Sequence, residues 1–232
     1  MHLSEVRDEE AIPEKEGDSV ILFFDTETTG LVQRDLPHDH PVQPDLVQLG
    51  MSLCDPDGAE RAAVELLVRR DGAAIPLKAT EVHGIDAGIA DRAGLKLVTA
   101  ASIFWAFRAL ADTIAAHHLD FDERVMATAT HRAGRIAAPG SVARACTAEM
   151  AEPILRLPPT ARMKQYGHGD KFKKPSLEEC HRHYFGTPVA QAHSALADAR
   201  ACSRVYFALV RGAPPHRPTI LERARSLLGW RR

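Results

Sequence analysis

The sequence predicts a three-layer α/β domain, and three observations carry that expectation. The run Val20-Ile21-Leu22-Phe23-Phe24 is apolar and β-prone, as a buried strand is. Segments 45–54 and 59–68 are strand-like and are joined by Asp55-Pro56-Asp57-Gly58, a strong turn signal that makes them a hairpin. Beyond them, helical patterns alternate with short apolar segments as far as residue 210. A leading hairpin followed by interleaved helices suits a sheet covered on both faces.

Taken in order, residues 1–17 are rich in Glu, Asp and Lys and read as a flexible leader. They have no apolar core segment, so a signal peptide is not expected. The first strand covers 19–24. Segment 32–44 carries His38, His40 and three prolines and reads as a loop. Segment 98–114 has long apolar stripes without Gly or Pro and predicts a buried helix. A short strand ends over 115–118, a helix over 122–133 stops at Gly134, and 142–147 is another strand. Ser176-Leu177-Glu178-Glu179, with Pro175 ahead of it, fits a capping box and starts a helix that ends near Gly186. The last long helix spans 194–210. Pro214, Pro215 and Pro218 then mark a linker to a short tail, 219–232, with the pattern of one amphipathic helix. The catalytic-size domain is therefore expected over 18–212, with 213–232 as linker and tail.

Composition narrows the class. The 232 residues are 45% hydrophobic and 26% charged, which predicts a folded core rather than disorder. The formal net charge is −2, whereas passive nucleic-acid binders are usually strongly basic. Cys54, Cys146, Cys180 and Cys202 form no C-x-x-C pair, so they read as buried thiols in a reducing compartment. The apolar stretch 97–107 is too short to span a membrane, so no membrane partner and a cytoplasmic setting are expected.

The chemistry starts at Asp25-Thr26-Glu27-Thr28-Thr29-Gly30, directly after the first apolar run. Side chains in a strand alternate faces, so Asp25 and Glu27 point the same way. Two carboxylates at the end of a buried strand repel each other. Either one takes a proton or a cation holds both ionised, and oxygen donors suit Mg²⁺ or Mn²⁺. Two later segments, His117-His118-Leu119-Asp120-Phe121-Asp122 and His193-Ser194-Ala195-Leu196-Ala197-Asp198, add further acids and histidines. His193 and Asp198 would lie roughly 140° apart on one regular helix. His193 is therefore expected on the loop before the last helix, with Asp198 inside its first turns.

In this order and at these separations, the chain resembles the DEDDh branch of the DnaQ-like 3′→5′ exonucleases, which includes proofreading subunits and ribonuclease T. The first motif, D-x-E-T-T-G, is matched from Asp25 to Gly30. The second is matched by His117, Phe121 and Asp122, and the third by His193, Ala195 and Asp198. Weaker echoes are segments 45–50, 82–85, 146–147 and 174–177.

The resemblance implies a ribonuclease-H-like fold with a mixed central sheet. It implies two Mg²⁺ or Mn²⁺ ions on Asp25, Glu27, Asp122 and Asp198, with His193 as general base. The reaction would be phosphodiester hydrolysis at single-stranded or frayed 3′ ends, DNA ahead of RNA, releasing nucleoside 5′-monophosphates. An RNA-trimming enzyme, or a non-catalytic binding module of the same fold, is the alternative. A separate polymerase subunit is a conceivable partner under the same resemblance. Thr28, Leu31 and His83 match positions that touch the terminal nucleotide in relatives. Relatives commonly carry Asn where this chain has His118, so His118 joins the substrate-binding set as a changed donor. His117, His118 and Asp120 have no distant ligand pair at zinc spacing. The cations and aromatics of 162–174 (Arg162, Lys164, Tyr166, Lys171, Phe172, Lys173, Lys174) are expected to form a phosphate-contacting loop.

Overall fold

The computed structural model describes residues 19–135, 141–217 and 219. The expected leader, 1–17, and nearly all of the tail lie outside those residues. Among the described residues, five strands form one sheet in the order β3-β2-β1-β4-β5: β1 Ile21–Thr28, β2 Leu46–Cys54, β3 Glu60–Leu67, β4 Thr113–Ala116 and β5 Ala143–Cys146. β1 pairs antiparallel with β2, and β2 with β3, whereas β4 and β5 add in parallel. The sheet is therefore mixed. The helices are α1 Leu77–His83, α2 Ala87–Ala93, α3 Leu97–Arg108, α4 Leu119–Arg132, α5 Thr147–Leu155, α6 Ala161–Gln165, α7 Leu177–Phe185 and α8 Ala195–Val210. Among the described residues no helix is long and apolar enough to cross a membrane.

β1 is central because both of its faces are apolar. Leu22 and Phe24 pack with Leu49 and Met51 of β2 against Phe104 of α3 and Val125 and Met126 of α4. Ile21 and Phe23 pack on the other face with Cys202 and Phe207 of α8. Leu22, Phe23 and Phe24 are fully buried, which contributes about 1.5–3 kcal/mol for each side chain. A third cluster joins α5, α7 and α8 through Ala151, Cys180, Tyr184 and Val205.

Two expected elements are corrected. The first strand does not end at Phe24. Its ladder with β2 continues through Asp25↔Gly50, Thr26↔Leu49 and Glu27↔Gln48, because backbone pairing is indifferent to a charged side chain. The helix expected over 98–114 ends at Arg108. No Gly or Pro stops it; instead the Asp112 N–H donates to the Val20 carbonyl (2.9 Å), and the Val20 N–H donates to the Asp112 carboxylate (2.8 Å). That pairing draws Thr113 and Ile114 into β4. α4 starts three residues earlier than expected, at Leu119. Helices α1, α2, α5 and α6 had no counterpart in the sequence expectations. The capping box at Ser176 is present as expected, with the Glu179 N–H donating to Ser176 Oγ (3.2 Å) and the Ser176 N–H to Glu179 (2.7 Å).

Candidate active site

The alternation of β1 places the acids. Ile21 and Phe23 face α8, so Asp25 and Glu27 continue that row toward α8. Thr26 and Thr28 continue the Leu22 and Phe24 row toward α4. Parallel pairing of β1 with β4 stops at Phe23↔Ala115. The edge of β1 beyond Phe23 is thus open, and α4 brings Asp122 to it. Asp122 is 2% exposed and accepts from the Thr26 N–H (3.0 Å) and the Thr26 hydroxyl (2.7 Å).

The fourth acid comes from α8. Gly50 of β2 permits this, because a Cβ there would lie 2.1 Å from Ala195 C and Leu196 N. The helix start sits directly on the sheet. Its free N–H groups are capped by side chains of the sheet rather than by its own Ser194: Ala195 N–H donates to Gln48 (3.0 Å) and Leu196 N–H to Glu65 (3.2 Å). Ser194 Oγ also donates to Glu65 (2.7 Å). Asp198 then lies in the first turns of α8, and its carboxylate accepts from the His193 N–H (2.9 Å). His193 is exposed, outside the helix, at φ +70°, a conformation that non-glycine residues rarely hold.

These positions bring the acids together. Burial pushes the Asp25 carboxyl well above the usual carboxylate range, and the charges of Asp122, Asp198 and Glu27 push it further. Burial followed by Asp198 and Asp122 raises Glu27 to about 8. Burial also raises Asp122 and Asp198, against the hydrogen bonds from Thr26 and from His193 respectively. Four carboxyls that repel one another in a buried corner fit a divalent cation better than they fit each other. Ligand atoms of Glu27, His193 and Asp198 lie within 4.8 Å of one another, a spacing one ion can bridge.

The remaining expected residues fall around this centre. His83 ends α1 and its Nδ1 accepts from the Ile85 N–H (3.1 Å). Burial lowers its pKa, the adjoining Thr28 backbone opposes that, and His193 adds to the lowering. The ring is therefore within reach of both the end of β1 and His193. Thr28 is buried, and its hydroxyl donates to the Gly30 carbonyl (2.6 Å). Leu31 is 80% exposed beside it. His118 is the residue before α4, at φ +69°, and is open to solvent. His117 is structural. Its Nε2 must donate to the Pro175 carbonyl (3.0 Å), so Nδ1 accepts from the Thr147 hydroxyl (2.9 Å). Burial holds its pKa down to about 4.

The basic segment 162–174 is partly spent on the fold. Lys173 pairs with Glu179, Lys174 with Glu149, and Arg162 lies over Tyr166. Sequence reasoning missed Thr26, Gln48 and Glu65. Thr26 had a signal in its place between two motif acids, and Gln48 a weaker one in the 45–50 echo, whereas Glu65 had none.

The family model for RNase T exonucleases matches residues 22–206. The chain belongs to the DnaQ-like, DEDDh exonuclease family. No curated protein sequence matches it. Among solved structures, E. coli exonuclease I in complex with a dT13 oligonucleotide superposes with a TM-score of 0.64 at 18% identity. That match covers 83% of this chain and 40% of the other. The zinc-bound form of the E. coli exonuclease I–ssDNA complex gives 0.63 at 19%, over 84% and 41%. A moderately thermophilic exonuclease I from Methylocaldum szegediense gives 0.59 at 19%, over 84% and 40%. The DnaQ-like chain described here thus shares the ribonuclease-H-like fold and spans about two-fifths of the length of exonuclease I.

Proposed function

We propose that this DEDDh-family chain is a metal-dependent 3′→5′ exonuclease, with DNA as its favoured substrate and nucleoside 5′-monophosphates as products. One observation carries the proposal: Asp25, Glu27, Asp122 and Asp198 converge on one corner of the sheet with His193 beside them. A binding module that had lost catalysis would have no reason to keep this costly set of mutually repelling acids.

Asp25, Glu27, Asp122 and Asp198 would hold two Mg²⁺ or Mn²⁺ ions, which when bound activate the attacking water and stabilise the leaving 3′ oxygen. The chain's own residues do the rest. β1 and α8 fix the carboxylates, and the Thr26 donors hold Asp122 in one orientation. His193 accepts the proton of the attacking water, the general-base role that histidine takes most often. The P–O3′ bond breaks, the penultimate nucleotide keeps its 3′ oxygen as a hydroxyl, and the released nucleotide keeps the phosphate. Thr28, Leu31 and His83 line the place of the terminal nucleotide.

The test is incubation of pure protein with Mg²⁺ or Mn²⁺ and 5′-labelled DNA and RNA, single- and double-stranded. Stepwise shortening from the 3′ end, fastest on DNA and abolished by EDTA, is the expected result. Internal cuts, or no release by a folded protein, would overturn the proposal. Faster release from RNA would select the RNA-trimming alternative.

A further inference from the structure

Beside the acidic corner, segment 31–45 and α4 enclose an open groove of about 640 Å³ lined by Val32, Arg34, His38, Phe121 and Arg124, with Asp120 and Glu123 at its rim. Both of its walls are close in sequence to the catalytic centre: Val32 and Arg34 lie in the segment after β1, which ends at Thr28, and Phe121 precedes Asp122 in α4.

The walls are braced. Gln43 donates to the carbonyls of Gln33 (2.8 Å) and Leu36 (3.1 Å), Arg124 to those of Arg34 and Leu36, and Thr128 to that of His38 (2.8 Å). The two acids at the rim are satisfied by Arg144, at 2.7 Å from Asp120 and 3.0 Å from Glu123. Arg34 differs. Its guanidinium is exposed and forms no ion pair among the described residues. It lies within electrostatic reach of His118, as Lys173 and Lys174 do. The groove is thus preformed and lined by polar and apolar groups alike, with Val32 and Phe121 among the apolar ones and Arg34 as an uncommitted planar cation.

We propose that this groove is an upstream strand subsite, in which Arg34 grips the phosphodiester on the 5′ side of the scissile one and Val32 and Phe121 face its sugar or base. The ligand is a single-stranded polynucleotide, and the inference rests on the exonuclease function proposed above. A guanidinium presents a fork of donors that matches two phosphate oxygens. Contacts from Val32 and Phe121 are indifferent to sequence, as an exonuclease that meets every base requires.

The experiment compares two substrates. An oligo(dT) has upstream phosphates, whereas the p-nitrophenyl ester of thymidine 5′-monophosphate has none. Arg34→Ala is expected to lower kcat/KM on oligo(dT) at least fivefold more than on the ester, chiefly through KM. Arg34→Lys restores part of the loss. Equal losses on both substrates, or no loss on either, would overturn the subsite. A second measurement does not depend on turnover. In an Asp25→Asn background, Arg34→Ala should weaken oligo(dT) binding and reduce the slope of log K against log salt by about 0.7, one single-strand phosphate contact. An unchanged slope also overturns the subsite. If wild-type protein cleaves neither substrate, the exonuclease reading fails and the binding result alone decides the groove.

Discussion

Thr26 holds Asp122 with both of its donors, the backbone N–H at 3.0 Å and the hydroxyl at 2.7 Å, across 96 positions of sequence. The bond joins the central strand to α4 at the point where β4 no longer covers the strand edge. It opposes the burial that raises this acid to about 7, because a carboxylate that accepts two hydrogen bonds is favoured in its charged form.

Thr26→Val keeps the shape and the N–H but removes the hydroxyl. The expected cost is about 1.5–3 kcal/mol of stability, the value of a hydrogen bond to a charged group. Metal affinity should weaken as well, since Asp122 then holds its charge less firmly. Chemical denaturation and Mn²⁺ titration check both. Wild-type values in both would show that the hydroxyl contributes nothing to Asp122.

Much of this was legible before any coordinates. Asp25 and Glu27 share a face because strand side chains alternate, and His193 lies outside α8 because five residues do not share a helical face. What was not legible depends on contacts distant in sequence. Gln48 and Glu65 cap α8 from two strands of the sheet; Gln48 lies in the 45–50 echo, but nothing local marks either as a cap. Residues 98–114 have one apolar pattern throughout. The switch from helix to strand is made by Val20, some ninety residues away, through its pairing with Asp112. His117 sits in a motif and looks functional, yet both ring nitrogens are consumed by Thr147 and Pro175.

The acids also predict how metal-free stability depends on pH. Their folded pKa values are raised: Glu27 to about 8 from 4.5, with Asp25 and Asp198 also above their 3.8 reference. The folded state therefore binds more protons than the unfolded state, and stability falls as pH rises toward those folded values. His117, whose folded pKa is lowered, acts oppositely but only below its ordinary 6.5. Between pH 6.5 and 8.5 in EDTA, Tm should fall. Asp25→Asn should flatten that fall and raise Tm at the alkaline end, while abolishing nucleotide release. Mg²⁺ or Mn²⁺ should raise wild-type Tm by mass action and have less effect on the variant. A Tm independent of pH and metal would remove the repulsive cluster from the account.

Gly50 predicts a different kind of failure. A methyl group there meets the backbone of Ala195 and Leu196 at 2.1 Å, which side-chain rotation cannot relieve. Gly50→Ala should cost about 3 kcal/mol, the upper end of ordinary overpacking, and displace Asp198 along with the start of α8. Gly169→Ala, whose added Cβ would meet Lys164 no closer than 3.6 Å, is the control. Equal Tm values for the two variants would mean that α8 yields more easily than its packing implies.

His193 is the residue on which the mechanism turns, because its position allows two roles. As general base, its loss should lower turnover by about 10²–10⁴-fold, and Mn²⁺ affinity should survive because Asp25, Glu27, Asp122 and Asp198 remain. As a ligand, it should carry affinity and rate down together, and its spacing of within 4.8 Å from Glu27 and Asp198 permits that. The left-handed backbone at φ +70° favours the first role. It holds His193 outside α8, while the backbone N–H anchors to Asp198 and leaves the ring uncommitted to that bond. His193→Ala is therefore expected to lose rate while Mn²⁺ binding, read by calorimetry, stays within about threefold of wild type. A parallel loss of both would make His193 a metal ligand, and an unchanged rate would leave it a loop histidine with no part in the chemistry.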